Sequence, residues 1–140
     1  MIQKYIERPL LIEGKKFDIR QWVFIQDYCP PKIYFYNESY LRFSMNDFSL
    51  ENIHNRFIHL TNNSIQKHNK KCNIDESMWE MAQFVKFVGE KEWEKILNKI
   101  KNIVVWSIKS CENSVTGKKG CFELVGFDFM IDEKLNPWLI

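Results

Sequence analysis

The stretch Lys16-Phe17-Asp18-Ile19-Arg20-Gln21-Trp22-Val23 constrains this chain more than any other, because it sets charges at alternating positions inside what otherwise reads as a buried strand. Phe17, Ile19, Val23 and Ile25 recur with period two and turn one face to a core, which puts Lys16, Asp18, Arg20 and Trp22 on the other. A solvated strand face more usually carries Thr, Ser and scattered Lys. Burying a plus, minus, plus row without partners is strongly unfavourable. Two readings therefore stand side by side. One is a cross-strand salt-bridge ladder; the other is a cleft lined for an anionic ligand, most simply a nucleotide, with Asp18 orienting the cations or taking a hydroxyl.

A chain of 140 residues is long enough for one domain with a real core and too short for two comfortable ones. With 45% hydrophobic and 27% charged residues it is neither disordered nor a coiled coil, and eleven Phe and five Trp predict a bulky, well-filled interior. The net charge of +2 comes from dispersed lysines, whereas a duplex-binding protein needs a denser basic stripe, so no nucleic-acid partner is expected. No apolar run approaches the roughly 20 residues of a membrane span, and the N-terminus lacks a signal-peptide layout, so a soluble, intracellular chain with no membrane partner is expected. Cys29, Cys72, Cys111 and Cys121 form no Cys-x-x-Cys pair, and reduced, partly buried thiols are expected. His68 and Cys72, four apart in a polar loop, make a weak metal pair.

The first half reads as β. Residues 2–6 form a short strand closed by Arg8-Pro9, residues 17–26 the long strand, and the turn 27–31 leads to strand 32–36. Strand 40–43 follows, and together these predict an antiparallel meander. Residues 44–76 are polar, Asn-rich and weakly periodic, a functional or partly disordered loop in which Ile58-His59-Leu60-Thr61-Asn62 is the ordered island. Ser77-Met78-Trp79-Glu80 has the form of a capping box and starts a helix ending near Gly89. Trp93, Ile96, Leu97, Ile100, Val104 and Ile108 then define an amphipathic helix from about Lys91 to Cys111. Residues 113–119 are an exposed loop, 122–131 a buried strand, and 137–140 a last strand after the turn at 132–134.

Asp128 is the second anomaly. It lies in Leu124-Val125-Gly126-Phe127-Asp128-Phe129-Met130-Ile131, where a lone carboxylate needs a strong partner. Mg²⁺ ligation meets that need, and so does pairing with a buried arginine such as Arg20 or Arg42. Gly126 removes a side chain from the same face, consistent with a ligand lying close.

Gln3-Lys4-Tyr5-Ile6-Glu7, Lys16-Phe17-Asp18-Ile19-Arg20, Tyr40-Leu41-Arg42-Phe43, His59-Leu60-Thr61-Asn62 and Gly126-Phe127-Asp128-Phe129-Met130, followed by Pro137-Trp138-Leu139-Ile140, resemble the tubulin tyrosine ligase-like family in the same order. The resemblance covers essentially the whole chain and implies an α+β, ATP-grasp-like fold, an antiparallel sheet with two helices. It implies that residues 1–140 are the central and C-terminal part of the catalytic domain, truncated at both ends. The family's strand continues past Trp-Leu-Ile with a Glu and an Asn that complete a magnesium site, and its N-terminal lobe precedes the hinge. On that footing this chain alone is expected to lack ligase activity.

The resemblance also implies roles. Gln3, Lys4, Tyr5 and Ile6 correspond to the hinge that meets adenine, Lys16 to a phosphate or base contact and Asp18 to the ribose region. Thr61 and Asn62 correspond to residues closing over the γ-phosphate, and Asp128 to a Mg²⁺ ligand. Arg20 and Arg42 correspond to catalytic arginines holding the acyl phosphate and the incoming amino acid's carboxylate. An acceptor carboxylate attacks the γ-phosphate of ATP, and an amine displaces the resulting acyl phosphate to form an amide, so several cations and Mg²⁺ must gather anionic groups. Bidentate Arg contacts orient such groups better than Lys. Phe48-Ser49-Leu50, Met78-Trp79, Ile103-Val104-Val105-Trp106-Ser107 and Phe122-Glu123-Leu124 look most like the glycine ligases of the family. Glutamate-adding members carry a Lys/Arg stretch near where this chain has residues 75–79. The implied partners are tubulin tails and microtubules with free glycine, or glutamate in the alternative, and the implied state is a monomer in the cytoplasm and cytoskeleton, at a cilium or flagellum axoneme. A non-catalytic microtubule-binding module is the reading from a different class.

Overall fold

A computed structural model describes residues 2–69, 77–115 and 120–140. The chain is α+β, with a mostly antiparallel sheet whose described strands are β1 (Leu11–Ile12), β2 (Lys15–Tyr28), β3 (Pro31–Phe35), β4 (Tyr40–Asp47), β5 (Met78–Glu80), β6 (Glu123–Ile131) and β7 (Pro137–Leu139). The helices are two single turns, α1 (Arg56–His59) and α2 (Asn63–Gln66), then α3 (Met81–Val88) and α4 (Glu90–Cys111), with a 3₁₀ turn at Glu112–Ser114.

The 14-residue β2 is the spine. One of its edges takes β4 along residues 15–20 and β3 along 23–28, and the other takes β1 and then β6. The sheet order is β5-β4-β2-β6-β7. Glu13 (φ 51°) and Gly14 (φ 76°) both adopt positive φ in the two-residue turn between β1 and β2, the geometry a tight hairpin demands. That turn starts β2 at Lys15 and sets the register of every charge that follows.

Phe17, Ile19, Val23 and Ile25 of β2 form one core with Leu41, Phe43, Phe129 and Ile131 of the neighbouring strands. Over it lie Phe84 of α3 and the α4 stripe Ile96, Ile100, Val104 and Ile108, spaced four apart as one face of a helix requires. Gln21 interrupts the apolar row, yet it is buried because its Nε2 donates to the carbonyls of Trp22 (2.9 Å) and Tyr36 (2.7 Å), where β3 gives way to the turn before β4. At the far edge Asp132 accepts hydrogen bonds from the amides of Lys134 and Asn136 and from the Trp138 indole, which folds β7 back onto β6. Burial works against its charge, but these donors outweigh it and hold the carboxyl below its usual range.

Several expectations are corrected. Residues 2–6 are not a strand, because the edge of β6 is occupied next by Pro9, bridged to Asp132, and by Leu10, whose amide donates to Ile131 O at 2.8 Å. There is no meander, since β3 and β4 both pair with β2 and follow one another along its edge. The capping box forms three residues later, between Glu80 and Gln83, because Met78–Glu80 is first claimed as an edge strand on Tyr40–Arg42. The segment after residue 43 is less irregular than its composition suggests: β4 runs on to Asp47 and α1 and α2 follow. β6 is buried only at Phe129–Ile131; Leu124 is 62% exposed, since no helix among the described residues covers the face it shares with Gly126 and Asp128. Cys29, Cys111 and Cys121 are exposed rather than partly buried. Aromatics fill the core but also remain outside, Trp106 at 70% and Phe122 at 66% exposure. Cys72 of the proposed metal pair, and residues 116–119 of the predicted loop, lie outside the described residues.

Phe84 is fully buried between the rings of Phe17 (5.5 Å) and Trp93 (5.7 Å), which makes it the keystone between helices and sheet. Phe84→Ala should cost about 3–5 kcal/mol by leaving a cavity there, measured as a lower urea midpoint at unchanged slope.

Candidate functional site

A cavity of about 600 Å³ opens on the side of the sheet opposite the helices' core stripe. Residues 2–6 form one wall through Gln3, Lys4, Tyr5 and Ile6; Lys16 and Asp18 of β2 form the floor with Asp128 and Met130 of β6. Residues 59–62 and the end of the chain, Trp138 to Ile140, close it. Every residue the sequence assigned to nucleotide or metal therefore faces one cavity. The two arginines assigned to catalysis do not line it; they stand behind its carboxylates.

Register explains how they come together. Asp18 is the cross-strand partner of Arg42, and Arg20 that of Asp128. Arg42 grips Asp18 with two parallel bonds, Nε to Oδ1 at 2.8 Å and Nη2 to Oδ2 at 2.7 Å, the fork geometry that guanidinium and carboxylate favour. Its Nη2 also lies 2.8 Å from Asp128 Oδ1, which accepts from Arg20 Nη1 at 3.0 Å. Thr61 Oγ1 donates to Asp18 Oδ2 at 2.6 Å. Burial works against the Arg42 charge, yet Asp18 and Asp128 more than offset it and raise its pKa. The salt-bridge ladder is thus present, and its two carboxylates lie on the floor of a cavity.

Lys16 is held differently. Only 3% exposed, it donates from Nζ to His59 O (2.8 Å) and Tyr5 Oη (3.4 Å) and sits 4.9 Å from the Tyr5 ring centroid, with no ion pair among the described residues. Burial lowers its pKa to about 8, a shift that nearby Asp18 opposes. Lys16 is thus a buried ammonium in the cavity lining with no contacting carboxylate among the described residues.

His59 is the residue the sequence reading left without a role. Its Nε2 faces the carbonyl of Asn52 (3.2 Å), which only accepts, so Nε2 carries the proton and Nδ1 accepts from Tyr5 Oη at 2.6 Å. Its ring meets those of Tyr5 and Phe48 edge-on. His59 therefore joins the N-terminal wall to the segment bearing Thr61, while Gln66, fully buried, bonds Met45 N and the carbonyls of Phe57 and Leu60 from behind. His59 was visible as part of a motif, but its partners Tyr5, Asn52 and Lys16 lie outside that motif in sequence and are set only by the fold. Gly126 has another reason than a close ligand: a Cβ there would overlap the Arg20 guanidinium.

A bound Mg²⁺ is compatible with these groups on one observation. Asp128 Oδ1 is shared by two arginines, while Oδ2 has no hydrogen bond among the described residues and belongs to a side chain that faces the cavity. One such oxygen suits an ion held by one or two carboxylates together with substrate oxygens and water. Both Asp18 oxygens are engaged. Among the described residues no three His, Cys, Asp or Glu side chains cluster as a self-contained metal cage.

The whole chain, residues 1–140, matches the tubulin-tyrosine ligase family. It belongs to that family. Among its relatives, Tubulin glycylase 3B of Tetrahymena thermophila is 45% identical over 147 residues, covering 100% of this chain and 12% of that protein. Human Tubulin monoglycylase TTLL3 is 41% identical, covering 100% of this chain and 19% of that protein. Mouse Probable tubulin polyglutamylase TTLL9 is 34% identical, with 99% and 31% covered. The chain thus spans a minor part of each of these relatives.

The depressed Lys16 pKa has a consequence for stability. The folded state gives up this proton near pH 8 and the unfolded state near 10.5, so the cost of the buried charge is present below pH 8 and is relieved as pH rises through that window. The stability of the wild type relative to Lys16→Met should therefore rise by about 2 kcal/mol between pH 7 and pH 10. Urea unfolding of both proteins at the two pH values checks it; a constant difference excludes the buried-charge account.

Proposed function

We propose that residues 1–140 form part of an ATP-grasp catalytic domain, and that the protein is an ATP- and Mg²⁺-dependent ligase that adds glycine to glutamate side chains of tubulin tails. The observation that carries this reading is the convergence of Gln3 to Ile6, Lys16, Asp18, Thr61, Asn62 and Asp128 on one cavity. Family membership and the glycylase names of relatives at 40–45% identity support it. Relatives named as polyglutamylases match at 34–36%, which favours glycine over glutamate as the amino acid added.

The residues divide the work by chemistry. Tyr5, Ile6, Leu60, Met130 and Leu139 supply apolar wall for a flat base, and the cavity volume lies within the range for such ligands. Lys16 brings a fixed positive charge to an anionic tail of that ligand. Asp128 would hold Mg²⁺ through its unengaged oxygen, and the ion would supply charge neutralisation for phosphoryl transfer. Arg42, locked by two carboxylates, keeps Asp18 and Asp128 in place, while Arg20 is the arginine with bonding capacity left for a carboxylate or acyl phosphate. Thr61 and Asn62 close the cavity beside Asp18. The protein acts on the cytoskeleton, in the cytoplasm or at an axoneme, as a monomer.

The test is incubation of the full-length gene product with tubulin, ATP, Mg²⁺ and either labelled glycine or labelled glutamate. Label from glycine in the tubulin tails is expected, and label from glutamate alone transfers the protein to the other branch. Asp128→Asn should reduce the rate at least 100-fold, because it removes a charge that both metal and arginines use. It should also lower stability by about 1–3 kcal/mol, since two guanidiniums then face a neutral amide. Transfer without nucleotide, or undiminished transfer by Asp128→Asn, rejects the assignment.

A further inference from the structure

Arg20 differs from Arg42 in what holds it. Asp128 bonds its Nη1, but Nη2 has no hydrogen bond among the described residues and Nε is buried with none. The side chain keeps 22% exposure. A long cation tethered at one nitrogen ordinarily samples many rotamers, yet three features of β2 and β6 confine this one. The guanidinium carbon lies 4.4 Å from the ring centroid of Trp22, two residues on along the same face of β2. The space beside that ring is open only because the cross-strand partner of Trp22 is Gly126, where any Cβ would overlap the guanidinium. The indole itself stands on a clamped backbone: Trp22 O accepts from Tyr36 N at 3.1 Å and from the buried Gln21 amide at 2.9 Å.

We propose that Trp22 and Gly126 form a cradle that presets the Arg20 guanidinium for an oxyanion, a carboxylate or phosphate group, on the partly exposed sheet face beside Asp128. Trp22 is then a positioning residue, acting through Arg20. An aromatic face attracts a cation without consuming its N–H donors, so the stack fixes the plane of the guanidinium and leaves Nη2 for the ligand. Asp128 alone would anchor one corner and leave that plane free to turn. The cradle stands on this geometry; only the identity of the oxyanion, carboxylate of an acceptor or phosphate of an acyl phosphate, rests on the ligase reading above.

The experiment follows the Arg20 Nε–Hε resonance of the ¹⁵N-labelled chain, identified by its loss in Arg20→Lys. In the wild type the signal should be shifted by the indole ring current, and both inorganic phosphate and a short oligoglutamate peptide serve as probes. Trp22→Phe and Trp22→Tyr should retain the shift. Trp22→Leu should lose it and bind the responding probe roughly three- to fivefold more weakly, as expected for removal of a partly exposed cation–π contact. Gly126→Ala, with Trp22 intact, should displace the same resonance and weaken the same probe, which keeps the test decisive if Trp22→Leu does not fold. A response to phosphate alone or to peptide alone supports the cradle and identifies the oxyanion. Unchanged resonance and affinity in both Trp22→Leu and Gly126→Ala, or a wild-type Arg20 indifferent to both probes, overturns it. A wild-type Arg20 that responds, in a full-length protein that transfers no amino acid to tubulin, removes the ligase reading and leaves the cradle standing.

Discussion

One oxygen atom, Asp128 Oδ1, sits between two guanidiniums, and through it the charges of three strands become a single network. Asp18 and Arg20 come from β2, Arg42 from β4 and Asp128 from β6, each pair set opposite by strand register. Asp18, almost fully buried, would not be tolerable there without Arg42, nor Arg42 without its carboxylates. Two of each sign cancel, which leaves buried Lys16 and exposed Lys4 as the unbalanced side-chain charges lining the cavity among the described residues. The network is thus the scaffold of an electropositive site rather than the source of its charge.

The rest of the architecture serves that arrangement. β2 presents a core face to α3 and α4 and a polar face to the cleft, and over residues 16–19 both faces are buried. Such a strand is held on every side, by hydrogen bonds along both edges and by packing above and below. Side chains borne on it are correspondingly well fixed, which suits groups whose use depends on position.

Much of this was legible in the sequence where pattern and chemistry coincide. The period-two alternation around Asp18 identified β2 and both its faces, and the spacing of Ile96, Ile100, Val104 and Ile108 identified α4 to within a residue of its start. The anomalous charges at Lys16, Asp18 and Asp128 indicated the cavity floor because buried charge needs a reason. What escaped was whatever depends on competition between partners. Met78–Glu80 reads as the first turn of a helix until β4 offers an edge, and residues 2–6 read as a strand until Pro9 and Leu10 take the position on β6. His59 bonds residues distant in sequence through both its ring and its carbonyl, and Gly126 makes room for Arg20; neither can be told from a one-dimensional pattern.

The N-terminal wall of the cavity is fastened unlike the others. It has no ladder bonds over residues 2–6 and is tied by side chains, Gln3 to Leu139 O and Tyr5 to His59 and Lys16. Each such bond is worth about 1 kcal/mol net, far less than the sheet would lose in opening. The cleft therefore joins two kinds of fastening, a wall tied by single side-chain bonds over a floor of charges held by the ladder of the sheet.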